Sequence, residues 1–284
     1  MWIDDLCQSL KWLDANEIFL NGPQKTFYIK DGIYHELKSY FTCKKKMTEV
    51  IQIFSFEQNI RLDPLHPFAG GTFKNNAYRW QAVIEPACFD GPFFCLRRHR
   101  FDNLKTNDFE ISEDLLGNLK KDLIKGDHLI ICGPCGSGKT SFLCALLKEL
   151  CKHMRVAIIE DYEELPVFFP LWCKMKTKVE GIEHGKEISF KILINESLRL
   201  HPDKIVIGEV RGDDILFFFQ SLFTGQVGGM TTLHVNSVDE LKRKLKNICD
   251  VHSFDLNYLY QSGKILCLFL ERGNPPKVTS LERL

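Results

Sequence analysis

Eight residues, Gly133-Pro134-Cys135-Gly136-Ser137-Gly138-Lys139-Thr140, constrain this chain more than any other segment. They spell G-x-x-x-x-G-K-S/T directly after an apolar run, Leu129-Ile130-Ile131-Cys132, and directly before a stretch with helical patterning. Between a strand and a helix, such glycines let the backbone wrap a phosphate with successive N–H groups turned inward. The N-terminus of the helix adds its positive dipole at the same spot. Lys139 is expected to reach the β- and γ-phosphates of a nucleoside triphosphate, and the Thr140 hydroxyl to bind Mg2+. The competing reading, an accidental glycine-rich turn, does not account for both flanks. Cys132 and Cys135 also form a C-x-x-C. A redox or zinc role would need the two thiols to converge, whereas the loop must wrap phosphate here.

The residues around the loop supply the sheet it needs. From residue 111 onward, helical stretches (115–124, 139–151, 188–200, 213–222) alternate with apolar strands of four to five residues (128–132, 156–159, 204–207, 230–233). Short apolar strands separated by helices predict an α/β fold with a mostly parallel sheet covered on both faces. The first hundred residues read differently, as a small α+β unit. Helical spacing runs from Ile3 to Ala15, strands are predicted at 18–20, 26–29, 79–84 and 93–96, and Val50 to Ile60 suits a helix. The segment around Gly70-Gly71 reads as loop. The expected organisation is an N-terminal domain over 1–101, a polar linker over 102–110 and an ATPase domain over 111–284.

Composition narrows the class of function. Among 284 residues, Lys+Arg and Asp+Glu both total 37, so no global field draws the chain to nucleic acid or anionic lipid. Basic clusters at Lys44-Lys45-Lys46 and Lys242-Arg243-Lys244 read as solvated faces. Eleven cysteines with an acidic N-terminus, Met1-Trp2-Ile3-Asp4-Asp5, fit a reducing, cytoplasmic setting. No apolar run approaches the roughly 20 residues that span a bilayer, so membrane association is expected only through partners.

Hydrolysis also needs a positioned water and a held metal, and the ends of neighbouring strands are where such groups belong. Glu160 and Asp161 close the strand 156–159, Glu209 follows Ile205-Val206-Ile207-Gly208, and His234 ends the strand 230–233. Each alone could be a cap or a surface group. All three at one predicted rim with the loop form a site.

Four segments together carry a resemblance. Gly133 to Thr140, Ile159-Glu160-Asp161-Tyr162-Glu163-Glu164-Leu165, Arg199 through Gly208-Glu209-Val210-Arg211-Gly212, and Thr224-Gly225 through Thr231-Thr232-Leu233-His234-Val235-Asn236-Ser237 resemble the Walker A, Asp box, Walker B and His box of the secretion ATPase superfamily. The likeness extends over roughly residues 60–240 and is closest to the type IV secretion and Tad-pilus branch. It implies a RecA-like P-loop domain and an ATP-hydrolysing homo-hexamer. That motor would lie peripherally at the inner membrane and drive a secretion or pilus platform, with no direct contact to nucleic acid.

The resemblance also implies roles. Glu160 would polarise water, Glu209 would support Mg2+, and His234 would sense the γ-phosphate. Arg98, with Arg97 or Arg100 as rivals, and Arg79 would meet nucleotide from the N-terminal side. Arg199 and Arg211 would be interface or salt-bridge residues. Where members often carry an earlier histidine after Thr-Gly, this chain has Gln226, which cannot carry a proton's charge. A pilus retraction ATPase, or a nucleotide-gated module with little turnover, is the alternative.

Overall fold

The computed structural model describes residues 2–30, 33–74, 77–98, 104–178, 188–222, 228–252, 255 and 263–284. The chain divides into two compact units, Met1–Arg100 and Phe101–Leu284.

The first unit is a six-stranded antiparallel sheet carrying two helices. Its elements run α1 (Trp2–Trp12), β1 (Glu17–Asn21), β2 (Thr26–Lys30), β3 (Ile33–Leu37), α2 (Lys44–Glu57), β4 (Phe68–Phe73), β5 (Tyr78–Val83) and β6 (Phe93–Arg98). The strand order is β3-β2-β1-β6-β5-β4. Ile3, Leu6 and Leu10 of α1 and Met47, Ile51 and Phe54 of α2 recur at helical spacing, and they bury against Ile18, Leu20, Trp80 and Phe94 of the sheet.

Two expectations change here. Residues 70 and 71 are not loop; they lie in β4, paired with Gln81 and Trp80. Glycine serves there as bare backbone, because a Cβ at 71 would lie 2.9 Å from Ile60 Cδ1. Helix α2 begins at Lys44, six residues before the sequence suggested. Its apolar stripe starts at Met47, and the three exposed lysines form its first turn.

The second unit contains a 3-10 turn (Thr106–Asp108), α3 (Glu113–Lys125), β7 (His128–Cys132), α4 (Lys139–Leu150), β8 (Val156–Glu160), β9 (Cys173–Lys176) and α5 (Phe190–Leu198). It continues through β10 (Lys204–Ile207), α6 (Asp214–Leu222), β11 (Gly229–Leu233), α7 (Val238–His252), β12 (Ile265–Glu271) and β13 (Lys277–Arg283). The sheet order is β13-β12-β7-β11-β10-β8-β9. Every pairing is parallel except β12 with β13.

Strands β7, β8, β10 and β11 are buried at every position, which is why β7, β8 and β10 read as apolar runs with a polar residue only at one end; β11 also carries Thr231 and Thr232. On one face Leu116, Leu119 and Leu123 of α3 join Phe142, Leu143 and Leu146 of α4. On the other, Leu193, Phe218, Phe219, Leu241 and Leu245 come from α5, α6 and α7.

Residues 104–110, which look like a polar connector in the sequence, are held to the second unit. Thr106 donates its N–H and hydroxyl to Glu149 Oε1, each at 2.9 Å. The Glu110 N–H donates to Pro276 O and its carbonyl accepts from Val278 N.

Candidate active site

The parallel registers bring the ends of β7, β8, β10 and β11 level. Cys132 lies opposite Leu233, Ile207 opposite Thr231, and Ile207 opposite Ile159. The Gly208 N–H donates to Ile159 O at 3.0 Å, and the Thr232 hydroxyl donates to Gly208 O at 2.8 Å. Residues following these strands therefore share one rim, as expected for open α/β sheets. Thr232 has no signature in the sequence beyond its place in a strand, yet it fixes the backbone just before Glu209.

At the head of α4, the loop from Gly133 turns through positive φ at Gly133 (150°), Gly136 (75°) and Gly138 (85°). A Cβ at Gly133 would lie 2.3 Å from Leu270 O, so the loop can run here only without a side chain. No side chain caps the N-terminus of α4, where Gly138 is the capping residue. Ser137 Oγ is buried and has no hydrogen-bond partner among the described residues. An uncapped helix end, an orphaned hydroxyl and a loop that bends through positive-φ glycines fit an anionic phosphate group. Thr140, the residue expected to bind a phosphate-bound cation, is half-buried in the first turn of α4. The neighbouring thiols do not pair: Cys132 is buried, Cys135 is exposed, and both are free.

Three predicted residues meet beside this loop. Lys139 Nζ donates to Gly133 O at 2.9 Å and to Pro134 O at 2.8 Å, and lies 3.2 Å from His234 Nδ1. His234 Nε2 lies 2.5 Å from Glu209 Oε1. Glu209 Oε2 in turn accepts from Arg211 Nε at 2.8 Å and from Arg211 Nη2 at 2.5 Å. The chain of contacts sets the tautomer: Nδ1 accepts from the ammonium, and Nε2 carries the proton toward the carboxylate.

Burial lowers the proton affinity of His234, the charge of Lys139 adds to this, and Glu209 acts in the opposite sense. Burial likewise lowers that of Lys139, opposed by Glu209. Arg211 thus belongs to the site through Glu209, whereas Arg199 forms an exposed ion pair with Glu196 at 3.1 Å near the end of α5.

Glu160 is held differently. Its side chain is buried, and Oε1 accepts from the Leu165 N–H at 2.9 Å and the Glu164 N–H at 3.2 Å. Oε2 pairs with Lys174 Nζ at 2.9 Å, in an alignment that leaves that oxygen without a hydrogen bond among the described residues. Burial raises its proton affinity, and Lys174 opposes the rise. Glu160 packs against Gly208, the residue before Glu209, since a Cβ at Gly208 would lie 2.9 Å from Glu160 Oε1. No hydrogen bond or ion pair joins it to Lys139, Glu209 or His234. Sequence reading missed Lys174, because Cys173-Lys174-Met175-Lys176 carries no strand signal; only a basic residue in an otherwise mixed stretch hinted at it.

Arg79 and Arg98 lie in the first unit, on β5 and β6, where Arg98 pairs across the sheet with Tyr78 and its N–H donates to Asn16 O. Arg97 pairs with Glu17 at 3.4 Å. Arg100 and Gln226 lie outside the described residues. Among the described residues, no group of three or more His, Cys, Asp or Glu side chains is placed to hold a metal. Mg2+ bound through one carboxylate, one hydroxyl and substrate phosphates needs no such group.

A glycine-rich cradle at the carboxyl rim of a parallel sheet, with lysine, histidine and carboxylate converging beside it, defines a P-loop nucleotide-binding protein. Its α/β architecture is RecA-like, preceded by a small α+β unit. The solved structure of the Legionella pneumophila ATPase DotB matches 100% of this chain and 80% of its own with a TM-score of 0.69 at 19% identity. The pilus retraction motor PilT, solved with bound ADP, matches 99% of this chain and 82% of its own with a TM-score of 0.67 at 18% identity.

The chain belongs to the type II/IV secretion system protein family, whose model matches residues 86–257. A putative conjugal transfer protein of Mycobacterium tuberculosis is 33% identical over 244 residues, 82% of this chain and 68% of the relative. The conjugal transfer protein TrbB of Rhizobium radiobacter is 26% identical, over 86% of this chain and 75% of its own length. Among the described residues, no helix is long and apolar enough to cross a membrane.

Proposed function

We propose that this protein is an ATPase of the type IV secretion and conjugation branch, a homo-hexameric motor that drives an inner-membrane transport complex. The observation that carries the proposal is the contact chain Lys139–His234–Glu209 beside the 133–140 loop, which joins the ends of β10 and β11 to the head of α4. Relatives named for conjugal transfer support the branch. Pilus retraction rests on fold likeness to PilT alone and is the weaker reading.

Lys139 and the loop N–H groups would bind the β- and γ-phosphates, and Thr140 and Glu209 would hold Mg2+, which when bound would supply positive charge against the phosphates. His234 lies between Lys139 and Glu209, so a γ-phosphate drawing on Lys139 alters the histidine's partners. Glu160 polarises the attacking water once its carboxylate turns from Lys174; burial raises its proton affinity, which favours proton acceptance. Arg98 and Arg79 are the residues proposed to supply positive charge that stabilises the transition state. With equal numbers of acidic and basic residues, the motor is expected to act through protein partners rather than on DNA directly.

Steady-state phosphate release by purified protein, with its assembly state followed by sedimentation, tests this reading. Wild type should release phosphate at least about 100-fold faster than Glu209→Gln. Equal rates would leave a nucleotide-gated module in place of a motor, and several-fold stimulation by DNA at physiological salt would overturn the assignment of a protein-driven partner.

A further inference from the structure

The end of β12 and the turn that follows it, residues 270–276, meet the phosphate loop at three points. Because β12 runs parallel to β7, with Phe269 opposite Cys132, the two strands deliver their following residues side by side. Leu270 O occupies the space where a Gly133 Cβ would go, at 2.3 Å. Pro276 Cγ lies 3.2 Å from where a Gly138 Cβ would stand. Between these contacts, Arg272 Nε donates to Cys135 O at 2.7 Å, and its terminal nitrogens have no hydrogen-bond partner among the described residues.

The Cys135 carbonyl and the Gly136 N–H belong to one planar trans peptide unit and therefore point in opposite directions. An anchor on the carbonyl is thus an orientation device for the N–H. Gly136 has φ of 75°, a region where its peptide would otherwise turn at little cost. The arginine charge is also close enough to add to the burial that lowers the proton affinity of Lys139.

We propose that Arg272 is a positioning residue for phosphate binding: it pins the Cys135 carbonyl outward so that the Gly136 N–H faces the phosphate side of the loop. This rests on the reading of residues 133–140 as a phosphate cradle. Arg272 itself stands outside the G-x-x-x-x-G-K-S/T motif, 137 positions from its partner.

The test compares binding of β,γ-imido-ATP and ADP by wild type, Arg272→Met, Arg272→Gln and Lys139→Ala in the full chain. Arg272→Met should raise both dissociation constants about 10-fold, the scale of one lost hydrogen bond in a preorganised anion site. Its nucleotide-free melting temperature should be unchanged, and kcat at saturation should stay within about threefold of wild type. Arg272→Gln, a donor without charge, should recover most of the affinity.

Wild-type affinity in Arg272→Met would overturn the inference. So would weak binding accompanied by a lowered melting temperature, which marks a general packing role. If Arg272→Gln behaves like Arg272→Met, a neutral donor does not replace the guanidinium and the positioning claim fails. If wild type and Lys139→Ala both fail to bind either nucleotide, the cradle reading itself is wrong.

Discussion

The two rims of the central sheet carry similar ionisable residues and use them in opposite ways. At the carboxyl rim, Lys139, His234, Glu209 and Arg211 contact one another through side-chain atoms beside a glycine loop. At the amino rim, His128 and Lys204 begin β7 and β10 and are buried, at 7% and 2% exposure. Their partners are backbone atoms of fixed elements: His128 Nδ1 accepts from the Gly229 N–H at 2.9 Å, and Lys204 Nζ donates to Leu123 O at 3.1 Å. Leu123 lies in the last turn of α3, where a cation also meets the negative end of the helix dipole. Beside them Arg283 bridges Asp122 and Asp127, at 2.9 and 2.6 Å.

His128 and Lys204, bonded to the backbone of packed elements, have one geometry and secure the fold. Lys139 holds two loop carbonyls and also reaches His234, so the charges at the carboxyl rim include side-chain contacts that an arriving anion can exchange. Residue type alone does not separate these tasks; the set of partners does.

The contrast can be broken most severely at the carboxyl rim. Lys139→Ala should weaken ATP binding by about 1,000-fold or more, measured by calorimetry, because it removes the only lysine of the loop and its charge-assisted contacts. Its melting temperature should hardly move, and a large drop would place Lys139 among the structural groups.

Glu160→Gln should keep nucleotide binding and lower turnover by about 100-fold, as loss of a general base does. A matching loss in Lys174→Met with unchanged pH dependence would mean that the carboxylate ties down residues 164–165 and does not meet water.

On the amino rim, Lys204→Ala should cost about 2–4 kcal/mol in denaturant unfolding, through a cavity and an unsatisfied Leu123 carbonyl. Nucleotide affinity should be unaffected. Lys204→Met, which keeps the stem, should recover part of the loss.

The smallest effect is one of pH. Burial, assisted by Lys204, pushes His128 down to about 4. The unfolded histidine, near 6.5, then binds protons that the folded one refuses. Stability from His128 is therefore fully present above about pH 6.5 and is lost progressively toward pH 4, by on the order of 2–3 kcal/mol. A His128→Gln variant should flatten that part of the profile; an unchanged slope would assign it to other groups.

Much of the second unit was legible because a parallel sheet covered on both faces leaves an unmistakable trace. Strands β7, β8 and β10 are largely apolar runs, and each of β7, β8, β10 and β11 ends at or just before a residue with chemistry. The glycine loop and the convergence of Glu209 and His234 follow from that regularity. What escaped depends on distant partners. Strand β3 is exposed along most of its length and alternates in no readable way. The Gly70-Gly71 pair looks like a break until Trp80 and Ile60 are brought beside it.

Lys174 gains meaning only by facing Glu160, and Arg272 only by facing Cys135. Helix α7 and strand β12 are a different matter. The spacing of Leu241, Leu245 and Cys249 and the apolar run Ile265 to Leu270 were present in the sequence without being used.

The way α7 is mounted has mechanical weight. Only Val235 and Asn236 separate His234 from Ser237, whose hydroxyl accepts the Glu240 N–H at 3.1 Å, while Glu240 Oε2 accepts from Asn236 N at 2.7 Å. A connector so short and so bonded has no slack. The 15-residue helix behind it is a rod about 22 Å long, and at its far end His252 is paired with Asp213 at 2.9 Å. If His234 shifts when nucleotide binds, the displacement is expected to pass along the rod toward the segment that leads into α6.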